Sequence, residues 1–181
     1  MIFLLLGSNL GDRAANLADA RKKLRERLGF ESFGNCKLPQ VHFSPEVRSE
    51  AVGFESKESL QVYFSPEVKT EAVGFEGPFF LNQIVVFDKL GIAPRKLLNV
   101  CKKIEIEMGR EAHQAEYDEV GRRIYKDRII DIDILAFDDV RCNTKSLTLP
   151  HPQIWSRPFV REIAALLPEP IFKYFQMIVN N

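Results

Sequence analysis

The decapeptide RIIDIDILAF, Arg128 to Phe137, constrains the fold more than any other stretch of the 181-residue chain. Its apolar, β-branched character makes it a strand, and residues two apart on a strand face the same way, about 6.5 Å apart. Ile130, Ile132 and Ile134 therefore point together into a core, while Asp131 and Asp133 share the opposite face. That face continues with Leu135 and Phe137, so it is not simply wet. Two readings are open: the aspartates look out on solvent, or a cation lies between them. Unpaired carboxylates beside apolar surface repel each other and are costly to desolvate. Oxygen ligands at this spacing suit Mg²⁺, which takes one or two carboxylates and completes its shell with substrate phosphates.

The rest of the chain supplies partners for such a strand. Ile2 to Leu6 is an apolar run of five residues closed by a Gly-Ser-Asn turn. It is too short for a signal peptide or a membrane span and reads as a buried first strand. Arg13 to Leu28 is an amphipathic helix with Leu17, Leu24 and Leu28 on one face and Gly29 as its stop. A second helix starts near Pro94, carries Leu97, Leu98, Cys101, Ile104 and Met108 as its stripe, and ends at Gly109. FLNQIVVF, Phe80 to Phe87, is a further strand; LTLPHP and RPFVREIAALLPEP read as loop and short helix. The tail FKYFQMIVNN is a terminal helix or a partner-binding segment. The order β-α-β-β-α-β predicts an α+β, ferredoxin-like antiparallel sheet with helices packed on one face. Residues 1–181 are expected to form one domain, large enough to bury roughly 70% of the unfolded surface.

Lys plus Arg and Asp plus Glu both number 25, so the chain carries no net charge. That argues against bulk binding to nucleic acid or acidic membrane, though not against a local basic pocket. The three cysteines, Cys36, Cys101 and Cys142, lack metal spacing and fit a reduced protein. A cytoplasmic location is expected.

Residues 41–61 and 62–82 form a tandem repeat, identical at 13 of 21 aligned positions. Solenoids need about three units to bury a continuous core, so two copies read as a local duplication. The added copy is expected to make an extra strand or loop at a sheet edge, which Pro45 and Pro66 suit. Any binding role falls to the second copy, because the first has Ser59 and Gln61 where the second has Phe80 and Asn82.

Guanidiniums gather around the acidic strand. Arg110 follows the second helix, Arg122, Arg123, Lys126 and Arg128 precede the strand, and Arg157 follows LPHP. A carboxylate pair facing several arginines is what a polyphosphate–metal complex requires. No Walker A sequence and no protein-kinase signature is present.

FLLLGSNLGDR, FLNQ, IEIEMGR, DRIIDIDILAFDD and LPHPQIWSRPFV, in that order, resemble the motifs of the 6-hydroxymethyl-7,8-dihydropterin pyrophosphokinase family over roughly residues 1 to 170. The resemblance implies transfer of pyrophosphate from ATP to the hydroxymethyl group of the pterin, with release of AMP. Asp131 and Asp133 then correspond to the ligands of two Mg²⁺ ions, and with Arg110 and Arg128 they make up the catalytic set. Glu105, Arg110, Tyr125, Arg128, His151 and Arg157 match nucleotide-binding positions. Thr70, Val73, Phe80, Asn82 and Phe159 match the pterin pocket: Asn82 supplies an amide, and the two phenylalanines stack on the heterocycle. The substrates are small molecules, with neither nucleic acid nor membrane as partner, and a monomer or weak dimer is expected. Glu111 to Ile124 is expected to be a mobile lid over ATP. The family's pterin loop carries prolines where this chain has Thr70-Glu71-Ala72-Val73-Gly74. Two rivals compete with this reading. A palm-like nucleotidyltransferase would release pyrophosphate instead of AMP, and a non-catalytic ferredoxin-like module would have no use for paired aspartates beside arginines.

Overall fold

The computed structural model describes residues 1–29, 61–72, 77–110 and 127–180. Four strands form the body of one antiparallel sheet: β1 (Ile2–Ser8), β2 (Val62–Phe64), β4 (Phe80–Phe87) and β5 (Asp131–Phe137), in the order β2-β4-β1-β5. A short β3 (Val68–Thr70) extends the β2 edge along β4. The second repeat copy thus supplies an edge strand interrupted at Ser65–Glu67. Pro66, which has no N–H to donate, sits in that interruption. The first copy, together with the extra strand or loop expected of it, lies outside the described residues apart from Gln61.

Helices α1 (Arg13–Leu28) and α2 (Pro94–Glu107) follow the expected bounds. Asp12 caps α1 by accepting from the Ala15 N–H at 3.1 Å, and Gly29 ends it at φ 76°, a left-handed conformation that glycine adopts without strain. Both helices lie on one face of the sheet. There Leu17, Leu24, Leu97, Cys101 and Ile104 pack on Ile2, Leu4, Leu6, Ile132 and Ile134, all buried. Each such leucine or isoleucine contributes about 1.5–3 kcal/mol of transfer free energy.

The opposite face is covered as well. After the small hairpin of β6 (Cys142–Asn143) and β7 (Thr148–Leu149) and a cis Leu149–Pro150 bond come α3 (Gln153–Ser156), α4 (Pro158–Ala164) and α5 (Glu169–Asn180). Val160, Ile163, Ile171, Phe175 and Ile178 seal Phe3, Leu5, Ile84 and Val86 on that side. The Phe175 ring lies 4.9 Å from that of Phe3, centroid to centroid. The tail is therefore a core helix.

Two sequence expectations change here: helices pack on both faces of the sheet and not on one, and the alternation of β5 breaks. The β1–β5 register shifts between Phe3 and Leu4: Leu4 faces Ile134 and Phe3 faces Ala136, leaving Leu135 as an extra residue in β5. A bulge of this kind reverses the alternation beyond it. Phe137 consequently joins the α1–α2 core, while Leu135 and Ala136 face the C-terminal helices. The face of Asp131 and Asp133 continues with Leu135, as expected, but not with Phe137. Among the described residues, no helix is long and apolar enough to cross a membrane.

Candidate active site

Register places the site. Gly7 of β1 stands opposite Asn82 of β4 on one side and Asp131 of β5 on the other. One step along, Leu5 stands between Ile84 and Asp133. Directly opposed residues share a face, so Asn82, Gly7 and Asp131 form a row at the end of the sheet. They lie on the face that α4 and α5 cover farther along.

The β5 end of the row is charged. The Arg110 guanidinium donates to Asp131 Oδ1 at 2.7 Å and also pairs with Glu105. Arg128 donates to Asp131 Oδ2 at 2.6 Å. Glu105 is not a surface helix residue: it is only 8% exposed and reaches round the sheet edge to accept the Ile132 N–H at 2.8 Å. The carboxylate of half-buried Asp133 has neither hydrogen bond nor ion pair among the described residues. The two aspartates therefore titrate oppositely. Burial alone would raise Asp131, but Arg128 and then Arg110 hold it below the ordinary carboxylate range. Burial, followed by the charges of Asp131 and Glu105, pushes Asp133 up to about 7, against the opposing pull of Arg157 and Arg128. Burial and the Asp131 charge likewise raise Glu105 to about 7. Burial works against the Arg110 charge, yet Asp131 and Glu105 leave its pKa above the usual arginine value.

His151 closes the site from the loop before α3, where its N–H donates to Leu135 O at 2.8 Å and fixes it to β5. Burial and Arg157 keep its imidazole below its usual pKa, against Asp131, so it is neutral at pH 7. Its Nδ1 accepts from the Gln153 N–H at 3.3 Å, which leaves the ring proton on Nε2.

The β4 end is neutral. Asn82, 3% exposed, donates through Nδ2 to Thr70 Oγ1 at 2.7 Å, across the β3–β4 pairing. Phe80 shares its face two residues away, and Phe159 on α4 is partly buried against the same core. The structure thus brings Glu105, Arg110, Arg128, Asp131, Asp133, His151 and Arg157 into one electrostatic group. Thr70, Phe80, Asn82 and Phe159 belong to the same face of the sheet. Val73, Tyr125 and the expected lid at 111–124 lie outside the described residues.

Sequence reasoning read Gly-Ser-Asn as no more than a turn and missed Asn9. This amide is fully buried, and it accepts the Arg128 N–H at 2.8 Å and donates to Asp127 at 2.7 Å. Its own N–H donates to Arg128 O at 3.2 Å. A loop 118 residues away in sequence is thereby fixed so that Arg128 can reach Asp131. The available signal was an amide placed just after an apolar run that reads as a buried strand, where burial demands partners.

The profile of the 7,8-dihydro-6-hydroxymethylpterin-pyrophosphokinase family matches residues 3–168. The 2-amino-4-hydroxy-6-hydroxymethyldihydropteridine pyrophosphokinase of Porphyromonas gingivalis is 32% identical over 162 residues, covering 89% of this chain and 86% of the relative. The enzyme of the same name from Aquifex aeolicus is 32% identical over 176 residues, 95% of this chain and 85% of the relative. A mitochondrial folate synthesis bifunctional protein of Pisum sativum is 33% identical over 160 residues, 88% of this chain but 23% of that longer protein. Fold and relatives together define an α+β transferase. The chain belongs to the 7,8-dihydro-6-hydroxymethylpterin-pyrophosphokinase family, whose reaction moves pyrophosphate from ATP to the pterin.

Proposed function

We propose that this chain carries out the family's transfer with Asp131 and Asp133 as ligands of two Mg²⁺ ions and with ATP and the pterin at opposite ends of the Asn82–Gly7–Asp131 row. One observation carries the reading: Asp133 is half-buried, unpaired among the described residues and raised to about 7, two residues from a carboxylate already neutralised by two arginines. A divalent cation relieves that repulsion. Among the described residues no three His, Cys, Asp or Glu side chains form a cage. That suits Mg²⁺, which binds through one or two carboxylates and takes its remaining ligands from phosphate and water. Bound there, the ions would neutralise the phosphates and lower the pKa of the attacking hydroxyl.

The chain's own residues do the remainder. Arg110, Arg128 and Arg157 bring fixed positive charge to the triphosphate, and neutral His151 offers its Nε2 proton to a phosphate oxygen. Tyr125 completes the nucleotide side. Phe80 and Phe159 stack on the pterin, while Asn82, Thr70 and the loop at Val73 orient its polar edge. The hydroxymethyl oxygen then attacks the β-phosphorus in line. The bond from β-phosphorus to the α–β bridging oxygen breaks, AMP leaves with that oxygen, and the hydroxyl proton passes to solvent. The site is built within one chain, so a monomer or weak dimer suffices. The free thiols of Cys101 and Cys142 fit a cytoplasmic setting.

The test is chromatography of the products from ATP, Mg²⁺ and the pterin alcohol. AMP should form in equal amount to the pterin diphosphate, with a second saturable Mg²⁺ requirement beyond that for forming MgATP. Release of free pyrophosphate, or AMP production independent of Mg²⁺, would overturn the assignment.

A further inference from the structure

The centre of the row holds a glycine, and the geometry there is specific. A Cβ built on Gly7 would lie 2.7 Å from Asn82 Oδ1, 3.6 Å from Phe80 Cδ1 and 3.8 Å from Asn82 Cγ. Gly7 lies in an ordinary extended strand, and its φ is not among the positive values, so backbone conformation does not demand glycine here. Space does. The only atom that a methyl would meet below 3 Å is the Asn82 amide oxygen, and that amide is itself held on its other side by Thr70 at 2.7 Å. The oxygen has no donor among the described residues, so it is available to accept from a ligand N–H. Two strand spacings separate Asn82 from Asp131 across Gly7, about 10 Å in all.

We infer that Gly7 is a specificity-determining position for the pterin: its missing side chain leaves the floor on which Asn82 Oδ1 stands and over which the hydroxymethyl arm crosses toward the phosphate held at Asp131. Gly7 touches no reacting atom in this scheme and acts through Asn82. A methyl group would turn the amide away from the pterin edge. It would leave Asp131, Arg110 and Arg128 where they are, since none of their atoms is among the three nearest to it. The inference rests on the placement of the pterin at Asn82 proposed above.

The experiment is a double-mutant cycle on Gly7→Ala and Asn82→Ser, measuring KM for the pterin, kcat, and the affinity for a non-hydrolysable ATP analogue with Mg²⁺. Gly7→Ala should raise the pterin KM about tenfold or more while the nucleotide affinity stays at the wild-type value. In the Asn82→Ser background, where the shorter side chain clears the Cβ, the same substitution should add less than about twofold. A wild-type pterin KM in Gly7→Ala, beside an impaired Asn82→Ser, overturns the inference and leaves the pterin placement standing. An unimpaired Asn82→Ser removes the placement, and the inference with it. Equal losses in both backgrounds overturn the action through Asn82. Should Gly7→Ala alone not fold, the double variant decides: matching Asn82→Ser in folding and in pterin KM supports the inference, and falling short of it in either overturns it.

Discussion

The two ends of the Asn82–Gly7–Asp131 row are built on opposite physical terms. At β5 the position of every group is set by charge. Asp131 is clasped by arginines from the two ends of the α2–β5 connection, the Asp133 carboxylate is left unpaired among the described residues, and Glu105 completes the cluster from α2. At β4 the groups are neutral and the fit is steric, with the Asn82 amide and the Phe80 ring beside a strand glycine, the Thr70 hydroxyl holding the amide, and Phe159 partly buried on the same face. Charged groups act over distance and tolerate small displacements, whereas a stacked heterocycle is recognised by shape and a few directed bonds. The β5 end should therefore govern turnover, and the β4 end the choice of acceptor.

The largest effect that would sharpen this contrast comes from Asp133→Ala. It should lower kcat by about 10³-fold or more, with a far-ultraviolet circular dichroism spectrum like that of the wild type, because no protein partner is lost. Asp131→Ala should lower kcat comparably but also destabilise the fold by about 1–3 kcal/mol in denaturant titration, since it removes the carboxylate that both Arg110 and Arg128 hold. Equal stability of the two variants would break the distinction drawn between the paired and the unpaired aspartate. Next in size, Asn82→Ala should raise the pterin KM about 10- to 100-fold with ATP-analogue affinity retained, measured by steady-state kinetics and calorimetric titration. A matching loss of nucleotide affinity would mean that the ends are not separable.

The smallest effect is on pH dependence without ligand. Asp133 and Glu105 are raised to about 7, so they bind their protons more tightly in the folded than in the unfolded chain. In chelator, stability contributed by these two groups is full below the ordinary carboxylate range and is lost as pH rises through about 7. Asp131 is lowered and works the other way, losing its contribution as pH falls below the ordinary carboxylate range. Thermal unfolding followed from pH 4 to 8 should show the decline, and Asp133→Asn should flatten it. A stability that climbs steadily over that interval would contradict the unpaired state of Asp133.

Sequence patterning had unequal reach across these regions. Apolar β-like runs located β1 and β4, which are buried on both faces. The period-two pattern located β5, and period-3.6 stripes located α1 and α2, each of which buries one face on the sheet. The acidic pair was legible because two charges in an apolar strand conflict with burial. The placement of Phe137 was not, since the bulge that turns it depends on how β5 lies against β1 and not on its own residues. The role of Asn9 was equally out of reach, as its partners at Asp127 and Arg128 lie at the far end of the chain. The sequence assigns Glu105 to the nucleotide pocket through the family resemblance alone, since a glutamate late in an amphipathic helix is ordinarily a surface residue. Only the fold shows that α2 brings its carboxylate to the open side of β5.

That carboxylate has a consequence beyond the chemistry. Among the described residues β5 is the outermost strand of the sheet, and an outermost strand offers unmet amides to any other extended chain it encounters. By occupying the Ile132 amide, Glu105 blunts that lateral stickiness. One side chain thus covers an edge amide while lending its charge to the neighbouring arginine.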